Sequence, residues 1–320
     1  MPKLALVARK PDAGTALQRL IEEFLQAPTK TGETRSRKTG LIYRDALEGV
    51  LLPYCSRADV TEPAQLTDRH MKELTEGLLD GSGSRSGRPL AKPTVHSYVR
   101  AINTFLAWVK DSGEAIGAKA QRPKLERRIL DVLSRKEIDA MENAAALERD
   151  KLIVRTLADS GIRLGELLKL STDDVLTEGR RHFLRVQGKG SRDRKVPIAP
   201  VLAQRLKRYA QHTRRESAST RLFLANKRSA RTGDYAALTQ SGIQQMIRLL
   251  ALDAGVTKRV YPHLFRHSFI TWQLEGGLNP ILLSRIVGHE SLTMINQVYA
   301  HVTMDTAHDA LMRSLLGSED

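Results

Sequence analysis

Apolar residues at Leu17, Leu20, Ile21, Phe24 and Leu25 recur at helical spacing and predict a helix within an otherwise weakly defined lead, residues 1–40. The stretch 29–40 is polar and basic, and reads as a linker or an arm lying on phosphate. Residues 41–115 are patterned as helices throughout. One is predicted over 41–52, ending before Pro53, because proline lacks the N–H that a helix interior needs. Thr67 is the expected cap of a second, which runs to Leu79. Asp80-Gly81-Ser82-Gly83-Ser84-Arg85-Ser86-Gly87-Arg88 then reads as a flexible basic loop. A third helix, with Thr94 as expected cap, carries Val95, Tyr98, Val99, Ile102, Phe105, Leu106 and Val109. Residues 116–130, rich in basic residues, lack a clean period and read as an inter-domain linker.

Ser134-Arg135-Lys136-Glu137 matches a capping box and opens a second domain, residues 131–320. Helices are predicted there over 135–148, 150–160, 200–214, 240–254, 264–275, 280–287 and 305–316. Gly161 is a helix-terminating residue, and Asn279-Pro280 supplies a cap plus a first-turn proline. Residues 183–186 and 195–198 alternate like strands on either side of Gly188-Lys189-Gly190, predicting a hairpin. The fold class is therefore mainly α, with a small β-hairpin in the C-terminal domain.

Composition narrows the partner. A chain of 320 residues with 41% hydrophobic content suits two domains. Its formal net charge of +15 favours a polyanion, nucleic acid before acidic membrane. The positive charge recurs within 35–38, 122–128, 180–195, 205–215 and 221–231, which suits a surface wrapped on a duplex or a merely solvated one. Cys55 is the only cysteine, which leaves no intrachain disulfide and no thiolate-rich metal site. No apolar run reaches the length of a membrane span, and the short apolar run Leu4 to Ala8 does not make a signal-peptide core. A cytoplasmic, DNA-associated protein is expected.

The candidate chemistry concerns a phosphodiester. Its negative charge repels nucleophiles, and arginine, always protonated and planar, can hold two of its oxygens. Arg163 follows the helix-ending Gly161 and is expected at the start of the next helix, aimed at a ligand; it can equally pair with Glu166, which would orient it. His263 and Arg266 lie three apart on one helix and share a face. Lys189, at the tip of the predicted hairpin, is a candidate general acid or a solvated lysine. His289 follows Gly288 at a helix end. Tyr299 becomes a nucleophile where a base or cations stabilise its phenolate. The histidines His263, His267, His289 and His301 lack the carboxylate pattern of a metallohydrolase, so no metal and no cofactor is expected.

Taken together, the segments 158–170, 187–198, 263–269 and 286–302 resemble, in order, the conserved boxes of the tyrosine recombinases, the phage integrase family. The resemblance runs over about 41–303. It implies a two-domain DNA clamp: a SAM-like, all-helical core-binding domain plus an α+β catalytic domain. It also implies roles. Tyr299 would attack the scissile phosphate to give a 3′-phosphotyrosyl link. Arg163 and Arg266 would hold the non-bridging oxygens. Lys189 would protonate the leaving 5′ oxygen, His263 would assist proton transfer, His289 would hydrogen-bond the phosphate and Glu166 would support Arg163. The implied partners are double-stranded DNA with specific core sites, a homotetramer on two duplexes that exchanges strands through a Holliday junction, and accessory DNA-bending or directionality proteins. Arg85, Arg88, Lys92 and Arg100 are candidate DNA contacts. The lead is too short for the separate arm-binding domain of the larger integrases. A type IB-like DNA relaxing enzyme and a catalytically inactive DNA-binding protein are the alternatives.

Overall fold

The computed structural model describes residues 15–29, 32, 34–125, 131–188, 193–288 and 312. The chain divides into two compact units, Met1–Arg128 and Ile129–Asp320.

The first unit is helical among its described residues: α1 (Ala16–Gln26), α2 (Arg37–Ala46), α3 (Leu52–Arg57), α4 (Asp68–Asp80) and α5 (Lys92–Asp111). Leu17, Ile21 and Phe24 of α1 are buried with Val99, Ile102, Phe105 and Leu106 of α5, so the lead helix belongs to this core. The Phe24 ring meets Tyr43, Phe105 and Trp108 edge-on, with centroids 5.6, 5.5 and 5.6 Å away. Within the expected linker or arm over 29–40, the described residues from 34 onward make contacts inside this unit. Arg35 stacks 4.3 Å above Phe24 and donates to the Phe24 carbonyl, an orphan acceptor at the end of α1. Ser36 then caps α2 by accepting from the Thr39 N–H.

Two expected boundaries move. The helix of 41–52 does not stop at Pro53. A π-turn at Leu47–Leu51 joins α2 to α3, and Pro53 falls in the first turn of α3. The wide turn lets Leu52 bond back to Leu47, which re-phases the ladder just before the residue that cannot donate. Nor is Thr94 the cap of α5; the helix begins at Lys92, with Pro93 in its first turn, where a missing N–H costs nothing. Thr67 caps α4 as expected, in a reciprocal box with His70.

The second unit holds α6 (Arg135–Ala144), α7 (Glu148–Ser160), α8 (Leu164–Leu167), β1 (Val175–Glu178), β2 (Arg181–Gln187), β3 (Asp193–Pro197), α9 (Pro200–Arg208), β4 (Leu224–Arg228), β5 (Tyr235–Ala237), α10 (Gln240–Asp253), α11 (Pro262–Glu275) and α12 (Pro280–Val287). The capping box at Ser134 and Glu137 forms and starts α6. The α7 helix is the central member: Leu152, Ile153, Val154, Leu157 and Ala158 are buried, and it packs against α6 and α11. Strands β1, β2 and β3 form an antiparallel sheet in that order, with Val186 opposite Arg194 and Gln187 opposite Asp193. The hairpin is as expected; β1 and the small β4–β5 ribbon are additional. Their sequences, four or five residues mostly polar and a three-residue Tyr-Ala-Ala, carry too little alternation to be read as strands. The α12 helix packs on both β3 and α11, which brings its end to the edge of the sheet.

Gly161 ends α7 in the left-handed region at φ 60°. A Cβ there would lie 2.4 Å from Phe269 Cδ1, so glycine serves both the turn and the approach of α11. Gly161→Ala is expected to lower the unfolding free energy by about 2–4 kcal/mol, the sum of left-handed strain and overpacking. Urea denaturation measures it. A loss under about 1 kcal/mol would mean that Phe269 yields at little cost.

Candidate active site

Three arginines and one glutamate converge at the C-terminal end of α12. Arg163 directly precedes α8, which is only four residues long. Its backbone N–H donates to Glu166 Oε2 at 2.8 Å, so this N-terminus is already filled by a carboxylate and is not an open anion site. The Arg163 Nη1 donates to Glu166 Oε1 at 2.9 Å, and Nη2 donates to the Gly288 carbonyl at 2.7 Å. Both readings of Arg163 thus begin from the same geometry: it pairs with Glu166, yet its side chain stays 39% exposed.

Arg266 lies on α11 and is only 2% exposed. It donates through Nη1 to the Gly161 carbonyl at 2.7 Å and through Nη2 to the Val287 carbonyl at 2.6 Å. Burial, and then the positive charges of Arg163 and Arg194, push its pKa down to about 9, while Glu166 pulls the other way. It therefore keeps its proton at neutral pH. His263 sits one turn earlier on α11, exposed where Arg266 is buried. Pro262 stands in the first turn of this helix, which begins two residues before the expected 264.

Arg194, in the hairpin strand β3, is the residue that sequence reading missed. It grips Glu166 with both terminal nitrogens, Nη1 to Oε1 at 3.0 Å and Nη2 to Oε2 at 2.9 Å. Its Nε donates to the Ile286 carbonyl at 2.8 Å and Nη2 to the Val287 carbonyl at 3.2 Å. Within a run of basic residues from 180 to 195, nothing marked it out. It shares a face of β3 with the buried Val196, two residues on, and that was the one available signal.

Thus the carbonyls of Ile286, Val287 and Gly288, left orphaned where α12 ends, are all held by guanidinium groups. Gly288 closes the helix at φ 66° and leads directly into His289. Lys189, His289 and Tyr299 lie outside the described residues; β2 and β3 pair up to Gln187 and Asp193 on either side of the segment carrying Lys189. Arg85, Arg88, Lys92 and Arg100 are exposed on the loop after α4 and on α5 of the first unit. Among the described residues, no three His, Cys, Asp or Glu side chains group so as to hold a metal ion, and no helix is long and apolar enough to cross a membrane.

Residues 131–306 match the phage integrase family. The chain belongs to that family, the tyrosine recombinases. The match spans both arginine boxes, the hairpin and the segment of Tyr299. Among relatives, the tyrosine recombinase XerD of Oceanobacillus iheyensis is 30% identical over 217 residues, covering 65% of this chain and 69% of its own. XerA of Pyrococcus furiosus is 30% identical over 246 residues, with 72% and 82% covered. XerD of Bifidobacterium longum is 26% identical over 315 residues, with 92% and 96% covered. In fold, the chain is similar to the Tn1549 transposon integrase in complex with circular intermediate DNA, at TM-score 0.67 and 18% identity, covering 93% of this chain and 99% of that one. It is also similar to the XerH site-specific recombinase bound to its difH substrate, at TM-score 0.61 and 18% identity, covering 91% and 93%.

Glu166 links this cluster to stability. Burial raises its pKa, but the bonds from Arg194 and Arg163 outweigh burial and hold it below the ordinary glutamate value. A depressed folded pKa contributes stability that is complete above the unfolded value of about 4.3 and is lost as pH falls through the lower folded value. The unfolding free energy should therefore drop on acidification below about pH 5, and drop less steeply in Glu166→Gln, as followed by urea unfolding at stepped pH. Equal slopes for the two proteins would show that Glu166 contributes nothing to acid sensitivity.

Proposed function

We propose that this chain is a site-specific DNA recombinase that cleaves and rejoins duplex DNA through a 3′-phosphotyrosyl intermediate. One observation carries the reading: Arg163 and Arg266, about a hundred residues apart in sequence, meet at the end of α12, from which the chain continues into His289 and Tyr299. A pair of fixed guanidiniums at one point is suited to the non-bridging oxygens of a phosphodiester, whose charge must be balanced as the nucleophile arrives. Because they are preorganised by Glu166 and by helix-end carbonyls, little reorganisation is required at the moment of reaction.

In this reading the Tyr299 hydroxyl oxygen forms a bond to phosphorus as the bond to the 5′ oxygen breaks. The phenol proton passes to a base, with His263 assisting, and Lys189 gives a proton to the departing 5′ oxygen. His289 hydrogen-bonds the phosphate. The 5′-hydroxyl of a second duplex then attacks the phosphotyrosine, releasing Tyr299. Each step exchanges one phosphate ester for another, so the bond energy is conserved and no nucleotide is consumed. Four protomers would pair two duplexes through a Holliday junction. The DNA-bound neighbours in fold and the net charge of +15 support a duplex partner, with phosphate contacts supplying affinity that falls steeply with salt. Arg85, Arg88, Lys92 and Arg100 would add to that affinity.

The test uses duplexes from the DNA flanking the chain's own gene, in EDTA. Wild type should form an SDS-resistant protein–DNA adduct and Tyr299→Phe none, with both shifting DNA in a gel. Arg266→Lys should slow adduct formation by roughly 100-fold or more, because an ammonium cannot reproduce the planar fork. An adduct with Tyr299→Phe would move the nucleophile elsewhere. Adduct and relaxation without junctions on two-site DNA would favour the type IB-like alternative. DNA binding with no adduct at any mapped site would favour the inactive DNA-binding protein.

A further inference from the structure

Strand transfer assigns Arg194 no contact with DNA, and the structure leaves it little capacity for one. Among the described residues, four of its five N–H groups meet protein acceptors, whereas the side chains of Arg163 and Arg266 use two each. The Arg194 acceptors come from three separate places: the Glu166 carboxylate, through two parallel bonds, and the Ile286 and Val287 carbonyls at the end of α12, while Arg194 itself stands in β3 at the base of the hairpin. Gly288 is pressed against the same guanidinium; a Cβ there would lie 2.9 Å from Arg194 Cζ. A residue bonded only for packing strength would not need its planar fork presented to a catalytic arginine's own counter-ion.

We propose that Arg194 is a positioning residue for strand transfer, acting through Glu166 on Arg163; the inference rests on the reading of Arg163 as a phosphate-holding group. The physical reason is competition. A carboxylate has about four acceptor sites, and Glu166 fills them with the Arg163 backbone N–H, one Arg163 Nη and the two Arg194 nitrogens. Without Arg194, the emptied sites are open to Arg163, already bonded to the same carboxylate, and to the positive charge of the nearby Arg266. Glu166 then draws those guanidiniums towards itself, in competition with the phosphate. Lysine at 194 keeps the charge but lacks the planar fork, so it cannot occupy both carboxylate oxygens and the helix-end carbonyls together.

The experiment uses the full chain and a nicked duplex carrying the cleavage site mapped with wild type. The scissile group is either a natural phosphate or a methylphosphonate, which lacks the negative charge that Arg163 would balance. Arg163→Ala, Arg194→Gln and Arg194→Lys are compared for DNA affinity and for the rate of phosphotyrosyl adduct formation. On the natural phosphate, both Arg194 variants should bind DNA as wild type does and form adduct about 100-fold more slowly, the size expected when a catalytic group is displaced by an ångström. On the methylphosphonate, the deficits of Arg163→Ala and of the Arg194 variants should shrink together, by about tenfold or more. Relief of Arg163→Ala without relief at 194 would overturn the inference and leave Arg163 in place. No relief for Arg163→Ala would overturn the reading of Arg163, and the inference with it. Wild-type rates in either folded Arg194 variant would also overturn it. Should Arg194→Gln fail to fold, Arg194→Lys, which retains charge and length, carries the same comparison.

Discussion

One buried carboxylate makes this site possible. Arg163, Arg194 and Arg266 crowd together, and burial first, then the charges of the other two, lowers the pKa of Arg266. Glu166 supplies a full negative charge, and the three carbonyls at the end of α12 supply the partial negative charge of a helix C-terminus. The balance is incomplete by design of the contacts: three cations face one anion and a dipole. In the proposed reading, a site left net positive suits a doubly esterified phosphate, whose single charge would add to the compensation.

This electrostatic arrangement dictates backbone geometry. For its carbonyls to reach the arginines, α12, packed on both β3 and α11, must end abruptly, and Gly288 allows it by turning left-handed beneath the Arg194 guanidinium. Gly161 performs the matching task on the other side. It stops α7, admits Phe269 of α11, and offers its carbonyl to Arg266. Each glycine therefore joins a helix end to an arginine, and neither position has room for a side chain. The rigid packing of α7 against α6 and α11 supports both.

The net charge is a weaker guide to function than this cluster. Much of it is engaged within the fold: Arg35 holds the end of α1, Arg149 the Leu224 carbonyl, Arg205 the carboxylates of Glu142 and Glu148, and Arg214 the Arg221 carbonyl. Such residues cannot also be counted as groove-lining contacts. Two guanidiniums fixed at one place, ahead of a histidine and a tyrosine, support the proposed phosphodiester chemistry more directly, in a chain of the tyrosine recombinase family.

Sequence alone determined the helical character of both units, most caps, the β2–β3 hairpin and the roles worth testing, because those depend on local signals: apolar periodicity, Ser134 with Glu137, Asn279 with Pro280, glycine at a helix end. Local signals failed where a distant contact decided the outcome. The helix continued past Pro53 because a π-turn and a shared core accommodate it, and Arg35 became a half-buried cap over Phe24. The pairing of Arg163 with Glu166 was legible, since three residues separate them. The meeting of Arg266 with the end of α12, and the whole part played by Arg194, were not. Nothing in a basic stretch says which cation will be buried. Only the packing of β3 on α12 decides that, by removing water from the Arg194 guanidinium and leaving the adjacent Lys195 exposed.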